Sequence, residues 1–312
     1  MEYYFAPMEG VTTMRYRRVH AELFGGADRY YTPFLSPTSD HRVTPREGRE
    51  VGAENNAGIN VVPQLLTRSA EDFLWAADAL AQMGYREVNL NLGCPSATVT
   101  AKGKGSALLR SPETLRALLD AVFAAAEVAV SVKTRIGYYE PEEFPALLDI
   151  FNAYPIAELI LHCRTRREMY AGEVHYEAYE LACRESRAKL CFNGNLCTAA
   201  DVRSFEARYG GEHPVMLGRG AAEDPALFRR LRGGDPASRE ELRRFHDTLY
   251  EAYRSDFGCV NGMRRMKELW SYLLRRFEGA EEIRKRMLRT EKTDVFEDCI
   301  RAVFDRLALR EE

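Results

Sequence analysis

The sequence predicts a (β/α)8 TIM barrel followed by a small all-helical domain. Three observations carry that expectation. Short apolar strands alternate with amphipathic helices through the first three quarters of the 312 residues, and eight such repeats in about 230 residues match the size of a TIM barrel. Several strands are continuous aliphatic or β-branched runs, the pattern of parallel strands covered on both faces. Past a cluster of breakers at Arg232-Gly233-Gly234-Asp235-Pro236, no strand pattern recurs. A doubly wound open sheet is the competing architecture, and it has no reason to stop at eight strands.

The strands are expected at residues 3–7, 29–33, 59–65, 87–91, 128–134, 159–162, 190–193 and 214–217. Between them, Phe73, Leu74, Ala77, Leu80 and Ala81 share one face of a helix over 71–83, and Leu115, Leu118, Leu119 and Val122 share one over 112–126. Ser111 is placed to cap the latter, with Pro112 at its first position. Thr198-Ala199-Ala200-Asp201 has the form of a capping signal. The breakers divide the chain into 1–235, the barrel, and 236–312, with helices expected at 238–255, 261–277, 280–290 and 293–309.

Composition excludes several classes of protein. The hydrophobic fraction of 46% suits a soluble enzyme with a sizeable core, and the net charge of −3 announces no polycation. Seven cysteines, an odd number in a long chain, argue against a disulfide framework, and none forms a Cys-x-x-Cys pair, so no metal site is expected. No basic stretch precedes a long apolar run at the start of the sequence, and no segment approaches the roughly 20 apolar residues of a membrane helix. A cytoplasmic protein, free of the membrane, is the expectation. No long apolar stripe calls for a partner subunit, so a monomer is expected.

The polar residues at the C-terminal ends of the strands are the functional suspects, because barrel enzymes build their sites there. They are Pro7-Met8-Glu9 after the first strand, Gln64 at the third, Asn91 and Cys94 at the fourth, Lys133 and Arg135 at the fifth, His162 and Arg164 at the sixth, Asn193-Gly194-Asn195 at the seventh, and Gly218-Arg219-Gly220 at the eighth. Each alone has a structural explanation; a core histidine and a buried cysteine are common. Seven strands offering polar groups to one face are harder to explain that way. The arrangement points to a flavin. Backbone amides at Gly194 and Gly220, with the Arg219 guanidinium, suit a phosphate. Gln64 can donate and accept at the edge of an isoalloxazine ring, and Lys133 can stabilise charge on a reduced flavin. No Gly-x-Gly-x-x-Gly opens the chain, so a Rossmann site is not indicated.

Taken together, Ala6-Pro7-Met8-Glu9-Gly10-Val11, Asn91-x-Gly93-Cys94-Pro95-Ser96, Val132-Lys133-x-Arg135-x-Gly137, His162-x-Arg164-Thr165, Asn193-Gly194 and Gly218-Arg219-Gly220 resemble the tRNA-dihydrouridine synthase family, in the family's order through the whole barrel. The helical tail around Arg264-Arg265-Met266-Lys267-Glu268-Leu269-Trp270 is similar to the family's C-terminal RNA-binding domain. The resemblance implies an enzyme that binds FMN and uses NADPH to reduce the C5–C6 double bond of selected uridines in tRNA. It implies that Pro7, Met8, Glu9, Gln64, Lys133, His162, Asn193, Gly194, Asn195, Gly218 and Arg219 contact the flavin. It implies that Cys94 gives a proton to uracil C5 after hydride reaches C6. A thiol near its reference pKa of about 8.5 still holds its proton at neutral pH, so Cys94 is expected not to be activated toward thiolate. Asn91, Arg135 and Arg164 are candidates for the substrate side of the site, and Arg264, Arg265 and Lys267 for contacts to the tRNA backbone.

Two positions depart from the family's pattern. Cys163 stands where a glycine is common, beside the expected phosphate end of the flavin, and Asn195 stands where a carboxylate is common. A flavin-dependent barrel reducing a small free pyrimidine or an enone is the alternative function; the helical tail with its Arg and Lys residues discriminates against it.

Overall fold

A computed structural model describes residues 1–310. Its strands are β1 (Tyr3–Phe5), β2 (Arg29–Tyr31), β3 (Val61–Val62), β4 (Gln64–Leu65), β5 (Glu87–Leu92), β6 (Ala129–Gly137), β7 (Glu158–Thr165), β8 (Lys189–Asn193) and β9 (Val215–Leu217). Every pairing is parallel, in the order β3-β2-β1-β9-β8-β7-β6-β5-β4. The two ends of that order, β3 and β4, are halves of one strand interrupted at Pro63, so the sheet closes on itself with eight staves. Proline has no N–H for the ladder, which is why the expected strand over 59–65 splits there; its carbonyl still accepts from the Asn89 amide at 2.8 Å.

Two staves run longer than their sequence pattern suggests. β6 continues through Arg135 to Gly137 and β7 through Arg164 to Thr165, paired by Arg135↔His162 and Gly137↔Thr165 across a register shift. The strand expected over 128–134 is extended by Arg135, Ile136 and Gly137 because ladder pairing with β7 holds them, and alternation sends Lys133 and Arg135 to one face. The lumen below is filled by Tyr4, Ala6, Tyr31, Val62, Ile160, Cys191 and Met216. Its N-terminal end is closed by Glu158, which accepts from Tyr4 Oη at 3.0 Å and pairs with Lys189 and Arg29.

The helices follow their signals. Ser111 Oγ accepts from Thr114 N at the start of Pro112–Ala125, Ser69 Oγ from Asp72 N at the start of Ala70–Gln82, and Thr198 with Asp201 forms a capping box before Ala199–Tyr209. The tail begins at Ser238, another capping box, and runs as Arg239–Leu273, Glu281–Arg289 and Thr293–Arg306. The first of these breaks at Gly258, where φ is 78°, so the two helices expected at 238–255 and 261–277 meet in a kink. Gly262 permits the close approach after it; a Cβ there would lie 2.9 Å from Arg254 N. The tail packs its own core, where Trp270 donates to His246 Nδ1 at 3.1 Å and meets the Phe304 ring edge-on. It also shares the barrel's core: Phe245 packs edge-on against Tyr16 and Phe24, and Tyr253 Oη lies 2.7 Å from Thr13 Oγ1.

Candidate active site

The C-terminal ends of the staves surround a cavity of about 780 Å³. Of the residues expected to act, Pro7, Met8, Glu9, Gln64, Asn91, Cys94, Lys133, Arg135, His162, Asn193, Gly194, Asn195, Gly218 and Arg219 all line it. The barrel has therefore brought together residues that lie up to 212 positions apart in the chain (Pro7 to Arg219). A space of this size accommodates a cofactor and part of a substrate.

Cys94 is a free, half-buried thiol on the turn after β5. Three residues, Asn91, Ser106 and Arg135, hold that turn. Asn91 Oδ1 accepts the backbone amides of Gly93 at 3.0 Å and Cys94 at 2.9 Å. The Cys94 carbonyl accepts from Ser106 Oγ at 2.8 Å and Ser106 N at 3.2 Å. Arg135 Nε donates to the Gly93 carbonyl at 2.9 Å. Gly105, packed against this turn, has φ of +61°, and a Cβ there would come within 3.0 Å of the Cys94 carbonyl oxygen. Burial pushes the Cys94 thiol up from its ordinary range, against a smaller opposing pull from the Ser96 amide, Arg135 and Lys133. The thiol stays protonated at neutral pH.

The neighbouring staves bring a group of cations to the same cavity. Lys133 Nζ donates to Asn193 Oδ1 at 3.0 Å; burial, then the neighbouring Arg135, pull its ammonium down to about 8. Burial likewise lowers Arg135, to about 10, so it remains charged. His162 is held neutral, well below its usual value, first by burial and then by Arg135, Lys133, Arg164 and Arg219. Arg164 Nη1 approaches His162 Nε2 at 3.4 Å; guanidinium can only donate, so Nε2 accepts and Nδ1 carries the proton. No carboxylate pairs within 4 Å of Lys133, Arg135, Arg164 or Arg219 among the described residues. A cavity with that unmatched positive charge favours an anionic occupant.

The arginines are also tied to the loop after β7. Arg135 Nη1 donates to the carbonyls of Thr165 and Met169, both at 2.8 Å, and Arg164 Nε to that of Gly172 at 2.6 Å. Arg164 is thus buried behind the cavity wall rather than lining it. The loop carries Tyr170, 51% exposed, whose ring lies beneath the guanidinium groups of Arg135 and Arg219. Asn195 adopts φ of 45°, and its Oδ1 accepts from Arg219 Nη2 at 2.5 Å. Cys163 does not crowd the cavity: alternation along β7 turns it into the core between barrel wall and helices, fully buried.

The three tail cations named from sequence lie elsewhere. Arg264 pairs with Glu291 at 2.9 Å, Arg265 stacks over Phe257 at 4.0 Å, and Lys267 is buried with its ammonium donating to the Thr290 carbonyl. Lys267 as placed joins two helices rather than facing an open backbone. The tail instead sends Ser271, Tyr272, Arg275 and Arg284 to the cavity mouth. The runs Arg275-Arg276 and Arg284-Lys285-Arg286 were the available signal, but only the packing of the last helices shows which members reach the site.

The family model described as Dihydrouridine synthase matches residues 4–308. The "Probable tRNA-dihydrouridine synthase" of Staphylococcus aureus (strain COL) is 31% identical over 299 residues, covering 92% of this chain and 88% of that protein. The "Probable tRNA-dihydrouridine synthase 2" of Bacillus subtilis (strain 168) is 30% identical over 311 residues, covering 96% and 92%. Among solved structures, morphinone reductase shares the fold at a TM-score of 0.53 with 12% identity, over 76% of this chain and 87% of that one. The family match over nearly the whole chain, together with relatives of this identity and coverage, establishes that the chain belongs to the dihydrouridine synthase family.

Proposed function

We propose that this chain reduces the C5–C6 double bond of selected uridines in tRNA, with FMN as cofactor and NADPH as reductant. The observation that carries the reading is Cys94, a protonated thiol held by its turn in a cavity whose wall also carries the cations Lys133, Arg135 and Arg219. The donor set fits an anionic flavin: Lys133, Arg219 and the neutral His162 with its Nδ1–H face one space, beside the side-chain amides of Gln64 and Asn193. Pro7, Met8, Glu9, Gly194, Asn195 and Gly218 complete the set of residues that would hold it. FMN when bound supplies the hydride for C6 of the uracil. Cys94 holds the proton at Sγ and gives it to C5, and its raised pKa keeps that proton in place until the base arrives. Lys133 offers an ammonium to negative charge at the barrel mouth, positioned by Asn193.

A uridine reaches this depth only out of its stack. Residues 1–235 are the catalytic part in this reading and 236–312 the tRNA-contacting part, working in the cytoplasm where tRNA is. Arg275 and Arg284 at the mouth support it; a reductase of a small free pyrimidine or enone has no use for them there. The test is the visible absorption spectrum of the purified protein under anaerobic conditions. Flavin bands that NADPH bleaches and tRNA restores are the expected result. A colourless protein that FMN cannot reconstitute overturns the reading.

A further inference from the structure

Gln64 and Asn91 line the cavity, and each has an oxygen and a nitrogen it could present to a ligand. Which one it presents follows from the hydrogen bonds behind it. Asn91 Oδ1 accepts two backbone amides, Gly93 and Cys94, and backbone amides only donate. Its Nδ2 therefore points to Gln64, whose Oε1 accepts it at 2.7 Å. Gln64 Nε2 then donates to Asn89 Oδ1 at 2.8 Å, and Asn89 Nδ2 donates to Ser131 Oγ at 2.9 Å. The chain runs one way from the Cys94 turn to Ser131, and no member can turn over without turning the rest. Each side-chain oxygen is taken by a protein donor, while Gln64 and Asn91 each keep one spare N–H. The cavity wall is thereby set as a pair of donors.

Neither Asn89 nor Ser131 reaches the cavity, and both are fully buried. We propose that Asn89 and Ser131 are positioning residues: by accepting the last two N–H groups of this chain they fix the orientation of Gln64 and Asn91, and through Asn91 the turn that places the Cys94 thiol. Without an acceptor at position 89, Gln64 is free to rotate, Asn91 loses its fixed partner, and the grip on the Cys94 amide slackens. The effect on turnover rests on the function proposed above; the effect on the thiol does not.

The test compares Asn89→Leu, Asn89→Asp and Ser131→Ala in the full chain. Burial keeps an introduced Asp protonated, so its carbonyl accepts from Gln64 and its O–H donates to Ser131, the same polarity as asparagine. A residue that merely supports the fold would suffer similarly from both changes at position 89. The positioning role predicts otherwise. Asn89→Leu lowers kcat for tRNA roughly ten- to a hundredfold with little change in KM, Asn89→Asp restores most of the rate, and Ser131→Ala shows the same defect more weakly. The second readout is the rate at which iodoacetamide alkylates Cys94 in FMN-free protein, followed at the Cys94 peptide by mass spectrometry. It rises in Asn89→Leu and returns in Asn89→Asp. Equal behaviour of the Leu and Asp variants, or wild-type alkylation and kcat in Asn89→Leu, overturns the proposal. So does failure of both Asn89→Leu and Ser131→Ala to fold by circular dichroism, because the pair then serves the fold before the site. If wild-type protein forms no dihydrouridine, the functional reading falls and the alkylation arm still decides this one.

Discussion

Lys133 and Asn193 meet across the barrel mouth, over the stave that lies between them: the Lys133 ammonium donates to Asn193 Oδ1 at 3.0 Å, and Asn193 Nδ2 donates in turn to the Met216 carbonyl at 2.8 Å. One amide thus fixes a cation using two other staves. The bond orients Lys133 without neutralising it, and the charge left over is available to a ligand.

That charge has a pH signature. The Lys133 ammonium sits at about 8 in the FMN-free protein, so it is charged below that pH and neutral above. FMN affinity, measured by fluorescence quenching between pH 7 and 9.5, should fall as pH rises through about 8, and Lys133→Arg should remove the fall. The unfolded chain holds this proton up to the ordinary lysine range, so the stability of FMN-free protein should rise with pH between about 8 and 10.5. Lys133→Met should raise Tm at pH 7 while weakening FMN binding, since it removes a desolvated charge that has no carboxylate partner. A variant matching wild type in both would remove Lys133 from the site.

Cys94→Ala should keep FMN bound and its bleaching by NADPH intact while dihydrouridine formation falls by roughly 10²–10⁴. The raised thiol pKa adds a second expectation: because the acid form is needed, the single-turnover rate with tRNA should not lose its proton donor between pH 6.5 and 8.5, and should decline only as pH passes the raised value. Equal turnover in the alanine variant would sink the acid role.

Gly105→Ala tests the support under Cys94. Its φ of +61° and the 3.0 Å approach to the Cys94 carbonyl predict a loss of about 1–2 kcal/mol from the left-handed backbone alone, together with lost turnover as the turn is displaced. Gly103→Ala carries similar strain, at φ of +70°, but its Cβ would meet only the flexible Arg68 side chain. Thermal melts should show both variants destabilised, and tRNA assays should show only the Gly105 variant impaired.

Arg275 and Arg284 should act through the tRNA backbone. Replacing either with alanine should raise KM for tRNA and reduce the salt slope of binding by about 1, leaving FMN affinity unchanged. Binding titrations at several salt concentrations decide it. Thermal melts of Lys267→Ala should show a loss of stability, because that ammonium is buried against the Thr290 carbonyl. Such variants are a cleaner probe of the tail than cutting the chain near residue 236. Phe245 packs into the barrel's own core beside Tyr16 and Phe24, so truncation would uncover that core.

Local signals settled much of this protein. Period and composition mark the staves and the breaker cluster; Ser111, Thr198 and the Pro112 start mark helices, because capping satisfies backbone groups within a few residues of the cap. Fourteen of the strand-end residues named from sequence line one cavity, since strand alternation and a common barrel end place them there whatever the details of packing. What lay beyond the sequence depends on contacts between distant segments. Arg135, Ile136 and Gly137 extend their strand because β7 pairs with them. Cys163 turns away from the cavity by one step of alternation, a parity that a strand end misjudged by a residue reverses. Arg284 reaches the mouth, and Lys267 is buried, because of how the helices after Gly258 fold back. The direction in which Gln64 and Asn91 present their amides was decided only when the Cys94 turn closed on Asn91, for a side-chain amide has no preferred orientation until its neighbours can only donate.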